Sequence, residues 1–449
     1  MARMSTGPRP TRREWRIASG MLTVVVGCLA VGCGSSADSG GSASTPVGPR
    51  GVVSITMAMV GDAGNPSVGV VQTFGGPKGQ FVEPPANSGS TGIYKSCSDA
   101  PASAPSCLTV GGVDYTYGIG EFDVTVTQYV TFLNTVDPRG RNLHDLYNDD
   151  MSPTVWPKYG SIAYSAGAPV GRHYSVAYPE WALKPFNFGN FRRAARFVNS
   201  LTNGRILSKT RSSVGTFTYT TYSVELSRTT ETGMYRLSDP ATTRQRSNGF
   251  VLPSNDEWVK AAYYDPKGGG TDSYWAYPTG PFTPPNVAQL DPATGDVLNA
   301  SDQPLATYNP NDPNSGVDTP GSPPGAAPTW CPSQAGSTCD KVFPSDFPQG
   351  LDLPSLYMAN VSTVGQDKTP SPWGTYDQGG NVVEILDTLA PQPPGYNFLR
   401  NWRYYHGRVA NAPAYQLEIS AFGYNPGDQG LERIYPWEGF RVGIIGNAS

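Results

Sequence analysis

Two carboxylates, Asp377 and Glu384, flank a glycine turn late in the chain. Between them, Gly379-Gly380-Asn381 predicts a tight turn, because glycine adopts positive φ at no steric cost and asparagine tolerates it. Glu384 lies inside the apolar run that follows, where a carboxylate costs free energy unless it is paired, hydrogen-bonded or bound to a metal. Two interpretations are open. In the first, Asp377 and Glu384 bind one shared Ca²⁺, an ion that takes about six to eight oxygen ligands. In the second, backbone N–H groups of the turn donate hydrogen bonds to a buried Glu384.

Other residue types that carry chemistry form no recognisable site in the sequence. The three histidines, His144, His173 and His406, are widely separated and lack H-x-x-x-H spacing, so we expect each in a loop or in the core. No G-x-S-x-G, Walker A or H-E-x-x-H motif is present. The net charge of −4 gives no electrostatic reason to expect a nucleic-acid partner.

Three helices are predicted by capping signals and apolar stripes. Thr125 and Gln128 form a capping box at the start of a helix over 125–136. A second helix is predicted over 190–202, and a third begins at Ser254, where Glu257 completes another capping box. We expect three arginines of the second helix on its solvated face, an anion site being the alternative: Arg192, Arg193 and Arg196.

Strand patterns and composition indicate a loop-rich globular domain. Residues 52–59 alternate with period two, as an opening strand does. A second strand is predicted over 115–122, and residues 205–249 predict a β-hairpin or a loop. The chain has 52 Gly and 43 Pro, but also 50 aromatic residues (25 Tyr, 16 Phe and 9 Trp), which can fill a core. We therefore expect a folded domain and not a disordered chain.

Residues 1–33 have the features of an export signal. Arginines precede an apolar stretch, Met21 to Val31, that is too short to span a bilayer. It ends in Ala30-Val31-Gly32-Cys33, which resembles a bacterial lipobox and predicts lipidation of Cys33; Val25 to Cys28 also fits a lipobox. Thr11 to Trp15 resembles a twin-arginine export motif, and a plain basic region is the alternative.

Residues 34–50 are rich in Gly and Ser and predict a flexible tether. A lipid anchor followed by a tether would place the folded domain in the cell envelope, beside a bacterial membrane. No second apolar run is long enough to span a bilayer, so the anchor would be the only membrane contact.

Several blocks of the sequence resemble the formylglycine-generating enzyme, or sulfatase-modifying factor, family in order and spacing. They are G-T-Y-D-Q-G-G-N-V-V-E from Gly374, I-G-E-F-D-V-T from Ile119, L-P-S-N-D-E-W from Leu252 and G-F-R-V from Gly439. The resemblance covers most of residues 51–449. It implies an α+β domain with a C-type-lectin-like fold, little regular secondary structure and an enlarged loop at 265–372.

The resemblance also implies structural calcium. At one family site the matching ligands are Asp377 and Glu384 by side chain, with Gly380 and Val382 by backbone carbonyl. At the other site Asn286 with Val287 is one match, and Asn360 with Val361 is the alternative, because the partner aspartate is not recognisable.

Cysteine placement separates this chain from the family's catalytic members. Those enzymes bind copper through two late cysteines, whereas this chain has none after Cys339, so copper is not expected. Other relatives bind iron through a histidine cluster, and the wide separation of the three histidines gives no reason to expect iron. Exported chains oxidise their thiols, and the spacing favours two local disulfides, with a redox thiol as the alternative. The predicted pairs are Cys97–Cys107 and Cys331–Cys339.

We expect a lipid-anchored, calcium-stabilised module that binds a surface glycan or protein, or has a structural role. Enzymatic alternatives at the same cleft are a formylglycine-generating oxidase acting on sulfatases and a carboxylate-based, tautomerase-like activity. The candidate acids for such an activity are Glu384, Asp387, Glu418 and Glu438.

Overall fold

The computed structural model describes a mixed α/β, loop-rich molecule. The described residues are 50–71, 93–94, 97–99, 107–155, 160–239, 241–268, 273–281, 284–291, 294–301, 303–307, 361–390, 402–406, 423–426 and 438–446. All described residues belong to one compact unit, 47–449. Several predictions concern residues outside these ranges: the export signal, Cys33, the tether up to residue 49, the Cys331–Cys339 pair, Asn360 and Glu418.

Strands outnumber helices in the described part of the chain. The helices are α1 (Val126–Val136), α2 (Phe191–Thr202) and α3 (Asn255–Tyr263). The strands are β1 (Val52–Val60), β2 (Val68–Val71), β3 (Ile93–Tyr94), β4 (Cys107–Val110), β5 (Tyr117–Gly120), β6 (Ile162–Tyr164), β7 (Tyr174–Val176), β8 (Arg205–Val214), β9 (Phe217–Glu225), β10 (Gly249–Val251), β11 (Asn286–Val287), β12 (Leu305–Ala306), β13 (Val383–Leu389), β14 (Trp402–His406), β15 (Gly423–Pro426), β16 (Glu438–Gly439) and β17 (Gly443–Ile445). Short 3₁₀ turns lie at Cys97–Asp99, Asp149–Met151 and Pro179–Trp181.

The largest sheet brings the two ends of the domain together. Its strand order is β10-β17-β5-β1-β9-β8, and all neighbours are antiparallel. The late strand β17 therefore lies between β10 and the early strand β5. A second sheet, β15-β14-β13-β16, contains the strand that follows the glycine turn, and there β13 and β16 are parallel. Smaller sheets are β3-β2-β4, β6-β7 and β11-β12.

The predicted helix starts are confirmed. At α1 the Thr125 Oγ1 accepts the Gln128 N–H at 3.3 Å, and the Gln128 side chain accepts the Thr125 N–H at 2.8 Å. At α3 the Ser254 Oγ accepts the Glu257 N–H at 3.1 Å, and the Glu257 Oε2 accepts the Ser254 N–H at 2.7 Å. Each box supplies partners for N–H groups that a helix start otherwise leaves unbonded.

The prediction of a solvated arginine face on α2 is wrong for two of its three members. Arg193 and Arg196 are only 1% and 9% exposed. Arg193 donates to Asp145 Oδ2 at 3.0 Å and to the Phe188 carbonyl at 3.1 Å. Arg196 donates to both oxygens of Glu231, at 2.6 and 3.0 Å. Because these acceptors lie in other segments, the helix pattern alone gave no sign that the charges would be buried.

The core lies between the large sheet and the helices, and aromatic rings fill much of it. Tyr129 of α1 stacks on Phe186 with ring centroids 3.6 Å apart, and Phe197 of α2 packs edge-on against Phe440 at 5.5 Å. The opening strand alternates as predicted as far as Met57, with Val53 and Ile55 buried, but Ala58 on the opposite face is buried as well. No helix in the described residues is long and apolar enough to cross a membrane.

Strand limits depart from the sequence pattern in two places. The strand predicted over 115–122 is shorter, Tyr117–Gly120, because residues 121–122 form a bend before the α1 N-cap at Thr125. In the G-F-R-V block, Gly439 ends β16, and residues 440–442 connect it to β17 without forming a strand. Residues 205–225 form the predicted hairpin, and every residue of β8 is exposed.

Candidate functional site

The predicted glycine turn is present and takes the expected backbone conformations. Gly380 has a φ of +96° and Asn381 a φ of +64°. A Cβ on Gly380 would lie 2.2 Å from the Thr307 carbonyl oxygen, so no other residue fits there without moving that segment. The Asn381 Oδ1 accepts the Ser362 N–H at 3.0 Å. The turn thus joins the start of β13 to the segment after β12.

Glu384, in β13, is fully buried and held by two side chains. Arg441 binds it through both oxygens, with Nε to Oε2 at 2.6 Å and Nη2 to Oε1 at 2.7 Å. Trp258 Nε1 also donates to Oε2, at 2.9 Å. Glu384 is therefore paired and hydrogen-bonded, but by side chains and not by backbone N–H groups of the turn.

Arg441 collects acceptors from several segments of the chain. Its Nη1 donates to the Gly120 carbonyl at 2.9 Å, at the end of β5. Its Nη2 donates to the Tyr376 carbonyl at 2.9 Å, just before the glycine turn. Arg441 is itself 0% exposed. A planar guanidinium with five N–H donors suits such a position, because it can bind a carboxylate and backbone carbonyls at once.

Asp123 is a second buried carboxylate beside Arg441. The distance from its Oδ1 to Arg441 Nη2 is 3.5 Å, which is longer than a hydrogen bond. Neither oxygen of Asp123 has a hydrogen-bond partner in the described residues. Burial raises the pKa of Asp123 well above its usual range, and the nearby Glu384 charge raises it further. The structure therefore places an unsatisfied acid beside a satisfied ion pair.

Asp377 and Asp367 add two more buried acids to the same region. Asp377 is 4% exposed and its Oδ2 accepts the Gly365 N–H at 2.7 Å. Burial raises its pKa to about 6, although the Gly365 N–H and Arg441 favour the charged form. Burial and the Asp377 charge raise the pKa of Asp367 well above normal. We call Asp123, Asp367, Asp377, Glu384 and Arg441 the Arg441 cluster.

The Arg441 cluster holds four acids and one permanent cation in a buried space. Such an arrangement needs either bound protons or a further cation, since an isolated buried carboxylate is costly. Calcium suits carboxylate and carbonyl oxygens, and the unsatisfied Asp123 is an observation that fits it. In contrast, both Glu384 oxygens already face Arg441 and Trp258. No three Asp, Glu, His or Cys side chains in the described ranges are grouped as metal ligands.

The predicted ligands therefore divide between two local environments. Asp377 and Glu384 lie in the Arg441 cluster, with Gly380 and Val382 on the backbone between them. Asn286 and Val287 form β11 beside β12, and the Val287 carbonyl accepts the Asn299 side chain at 3.0 Å. Calcium binding at either place stays a prediction.

Asp387, another candidate acid, belongs to a second ion-pair network. The Arg244 Nε and the Tyr235 hydroxyl both donate to Asp387 Oδ2, the latter at 2.9 Å. Arg244 also binds both oxygens of Glu257, at 2.9 and 2.7 Å. The Tyr115 hydroxyl donates to Glu257 at 2.6 Å. This network joins α3 to β13, so Asp387 is positioned as a structural acid.

His144, His173 and the Cys97–Cys107 pair lie apart from these networks, whereas His406 of β14 pairs in backbone register with Glu384 of β13. The His173 Nδ1 is 2.9 Å from the Ser165 carbonyl oxygen, and the His144 Nδ1 is 3.4 Å from Glu231 Oε1. The predicted Cys97–Cys107 disulfide is present, with Cα atoms 5.4 Å apart. It links a 3₁₀ turn to the start of β4.

Sequence reasoning found two members of the Arg441 cluster and missed the other three. Arg441 carried a usable signal, because an arginine inside the apolar block G-F-R-V needs a buried acceptor just as Glu384 needs a donor. Asp123 and Asp367 carried none, since the sequence around each suits an ordinary turn or a helix start.

Comparisons with known proteins returned distant structural matches. No model of a known protein family matches the chain, and no curated protein matches it. PvdO from Pseudomonas aeruginosa matches at 12% identity and a TM-score of 0.35, over 88% of this chain and 94% of PvdO. Treponema denticola variable protein 1 matches at 16% and 0.33, over 76% and 87%. CarF matches at 15% and 0.34, over 89% and 99%. At these TM-scores no functional argument rests on the matches, and the family resemblance rests on the sequence blocks.

Proposed function

We propose that the chain is an exported, lipid-anchored protein whose region 51–449 is a calcium-stabilised binding or structural module with a formylglycine-generating-enzyme-like domain. The observation that carries this proposal is the burial of the two acids that flank the glycine turn. Glu384 and Asp377 are 0% and 4% exposed, and Glu384 is ion-paired. Acids in this position hold segments together and do not face a substrate.

Calcium in the Arg441 cluster would neutralise its surplus of carboxylates. Asp377 and Asp123 would contribute side-chain oxygens, and Gly380 and Val382 would contribute backbone carbonyls. The oxygens of Asp123, which have no hydrogen-bond partner among the described residues, support a missing positive charge. Hard cations with oxygen ligands supply that charge without a change in oxidation state.

A carboxylate-based enzyme is the second candidate, and Glu121 favours it. Glu121 is partly exposed, and burial raises its pKa to about 7. A general acid or base works best with a pKa near the working pH. Glu121 also interacts electrostatically with the Tyr219 and Tyr376 hydroxyls.

Metal analysis combined with thermal melts tests the proposal on the full chain in mild detergent. We expect near-stoichiometric calcium and a melting temperature that falls in chelator. A ligand at a hundredfold excess over its Kd stabilises the folded state by about 2.7 kcal/mol. Asp377→Asn should reduce the calcium effect, whereas the exposed control Asp114→Asn should retain it.

Three outcomes would overturn parts of this proposal. Identical melts in calcium and in chelator would remove the calcium role. Stoichiometric copper with conversion of a C-x-P-x-R peptide would establish the oxidase instead. Turnover abolished by Glu121→Gln, with folding intact, would establish the carboxylate-based enzyme.

A further inference from the structure

A cavity of about 400 Å³ opens beside the tip of the β8–β9 hairpin. Its walls come from the end of β1, from the hairpin, from the loop after α3 and from the segment before the glycine turn. The volume falls within the range of small-molecule sites. None of its lining residues belongs to the Arg441 cluster. We call it the Trp373 cavity.

Two aromatic rings, Trp373 and Phe217, line the Trp373 cavity and are held in place by the backbone behind them. Both are half-buried against the core. Gly374 has a φ of +86°, and a Cβ there would lie 2.7 Å from Phe217 Cγ, so the loop can approach the ring only with glycine. The Tyr219 hydroxyl donates to the Gly374 carbonyl at 2.9 Å. The apolar walls are therefore preorganised.

The polar groups of the Trp373 cavity favour an anion that also carries hydroxyl groups. Arg211 and Lys267 line it, are exposed, and make no ion pair with the described residues. Asp265 is the one carboxylate among the described lining residues, and its Oδ1 accepts the backbone N–H of Lys267 at 3.0 Å. The buried Trp373 Nε1 has no hydrogen-bond partner in the described residues.

We infer that the Trp373 cavity binds an acidic saccharide, a sugar ring that carries a carboxylate. The apolar face of the ring would lie on Trp373 and Phe217, the carboxylate would meet Arg211 and Lys267, and Asp265 would accept a sugar hydroxyl. This inference rests on the proposed binding role. A simple inorganic anion would leave the aromatic walls unused, and a neutral sugar would leave the two cations unused.

Binding of methyl glucuronide and methyl glucoside to the full chain in detergent tests the inference, because the two probes differ only in the carboxylate. Saturation-transfer NMR measures binding of each sugar. We expect saturable binding of the glucuronide and at least about tenfold weaker binding of the glucoside. The double variant Arg211→Gln with Lys267→Gln should lose most of that preference, since each change removes one charge at a site of ion pairing.

Lys209→Gln is the matched control. Lys209 is an exposed cation on β8, the strand that carries Arg211, but it does not line the cavity. It should bind like the original protein. Equal affinity for both sugars, no saturable binding of either at millimolar concentration, or tighter binding of a nucleotide would overturn the inference. Any of these results with stoichiometric calcium retained would leave the proposed function standing, so the two failures are distinguishable.

Discussion

Glu384 and Arg441 are both fully buried, so neither can reach water when its partner is removed. Their two short bonds at 2.6 and 2.7 Å use both carboxylate oxygens. Ion pairs of this kind contribute modestly when intact, because desolvation opposes the Coulomb attraction, but removing one partner leaves an uncompensated charge. The pair is thus a point at which a single substitution has a large effect on stability.

Glu384→Gln is expected to lower the free energy of unfolding by about 3 kcal/mol, because Arg441 would keep its buried charge and lose its bidentate partner. Urea unfolding of the purified protein measures this change. The matched control is Glu225→Gln. Glu225 pairs with Arg205, whose side chain is 74% exposed, so its loss should cost less than about 1 kcal/mol. Equal effects of the two substitutions would contradict the assigned role of the buried pair.

At the scale of elements, the helix starts have a clear local origin. Ser254 caps the start of α3 by accepting the Glu257 N–H, and the Glu257 carboxylate accepts a hydrogen bond from Arg244. The cap therefore connects a local signal to the network that holds Asp387. The contribution of the Ser254 hydroxyl can be measured separately from that network, because replacing Ser254 leaves Glu257 and Arg244 unchanged.

Ser254→Ala is expected to lower the free energy of unfolding by about 1 kcal/mol, because an N–H at the helix start loses its acceptor. Ser254→Gly should cost only a few tenths of a kcal/mol, since glycine leaves that N–H open to water. Thermal or urea unfolding compares the two variants. A glycine variant that is less stable than the alanine variant would show that the capping hydroxyl is not what stabilises α3.

The helices and the glycine turn could be predicted from sequence because caps, stripes and positive-φ residues act over a few positions. Thr125, Ser254 and Gly380 each belong to such a local pattern. The order of the large sheet could not be predicted in this way, because β17 joins β5 across most of the chain. The burial of Arg193 was missed for the same reason, since Asp145 lies 48 residues away in sequence.

In the candidate site, too, the sequence did not predict contacts between residues that are far apart in the chain. Asp377 and Glu384 were marked because a turn and an apolar run surround them. Arg441, which pairs with Glu384, and Asp123, which adds a further acid beside them, come from segments far apart in the sequence and lie together only when β5 and β17 pair. Local sequence thus indicated that the acids need partners, and only the folded chain shows which partners they have.

For the molecule as a whole, buried ionisable groups set how stability varies with pH. Burial raises the pKa of Glu121 from 4.5 to about 7, and it lowers the pKa of Lys184 and Lys260 from 10.5 to about 8. Between pH 4.5 and 7 the folded state binds more protons than the unfolded state at Glu121, so this acid makes stability fall as the pH rises. Between pH 8 and 10.5 the folded state binds fewer protons at the two lysines, so they make stability rise.

These three groups are therefore expected to make the free energy of unfolding fall on the acid side, between about pH 4.5 and 7, and rise on the alkaline side, between about pH 8 and 10.5. Glu121→Gln should flatten the acid side and stabilise the protein at pH 8 by about 1 kcal/mol, after allowance for the partial exposure of Glu121. At pH 4.5 the same variant should match the original, because Glu121 is then largely protonated in the folded state. Urea unfolding across this pH range, with Asp114→Asn as the exposed control, measures the profile. A Glu121→Gln variant with an unchanged slope between pH 5 and 7 would show that Glu121 titrates normally in the folded chain, and it would also remove the observation that favours a carboxylate-based enzyme.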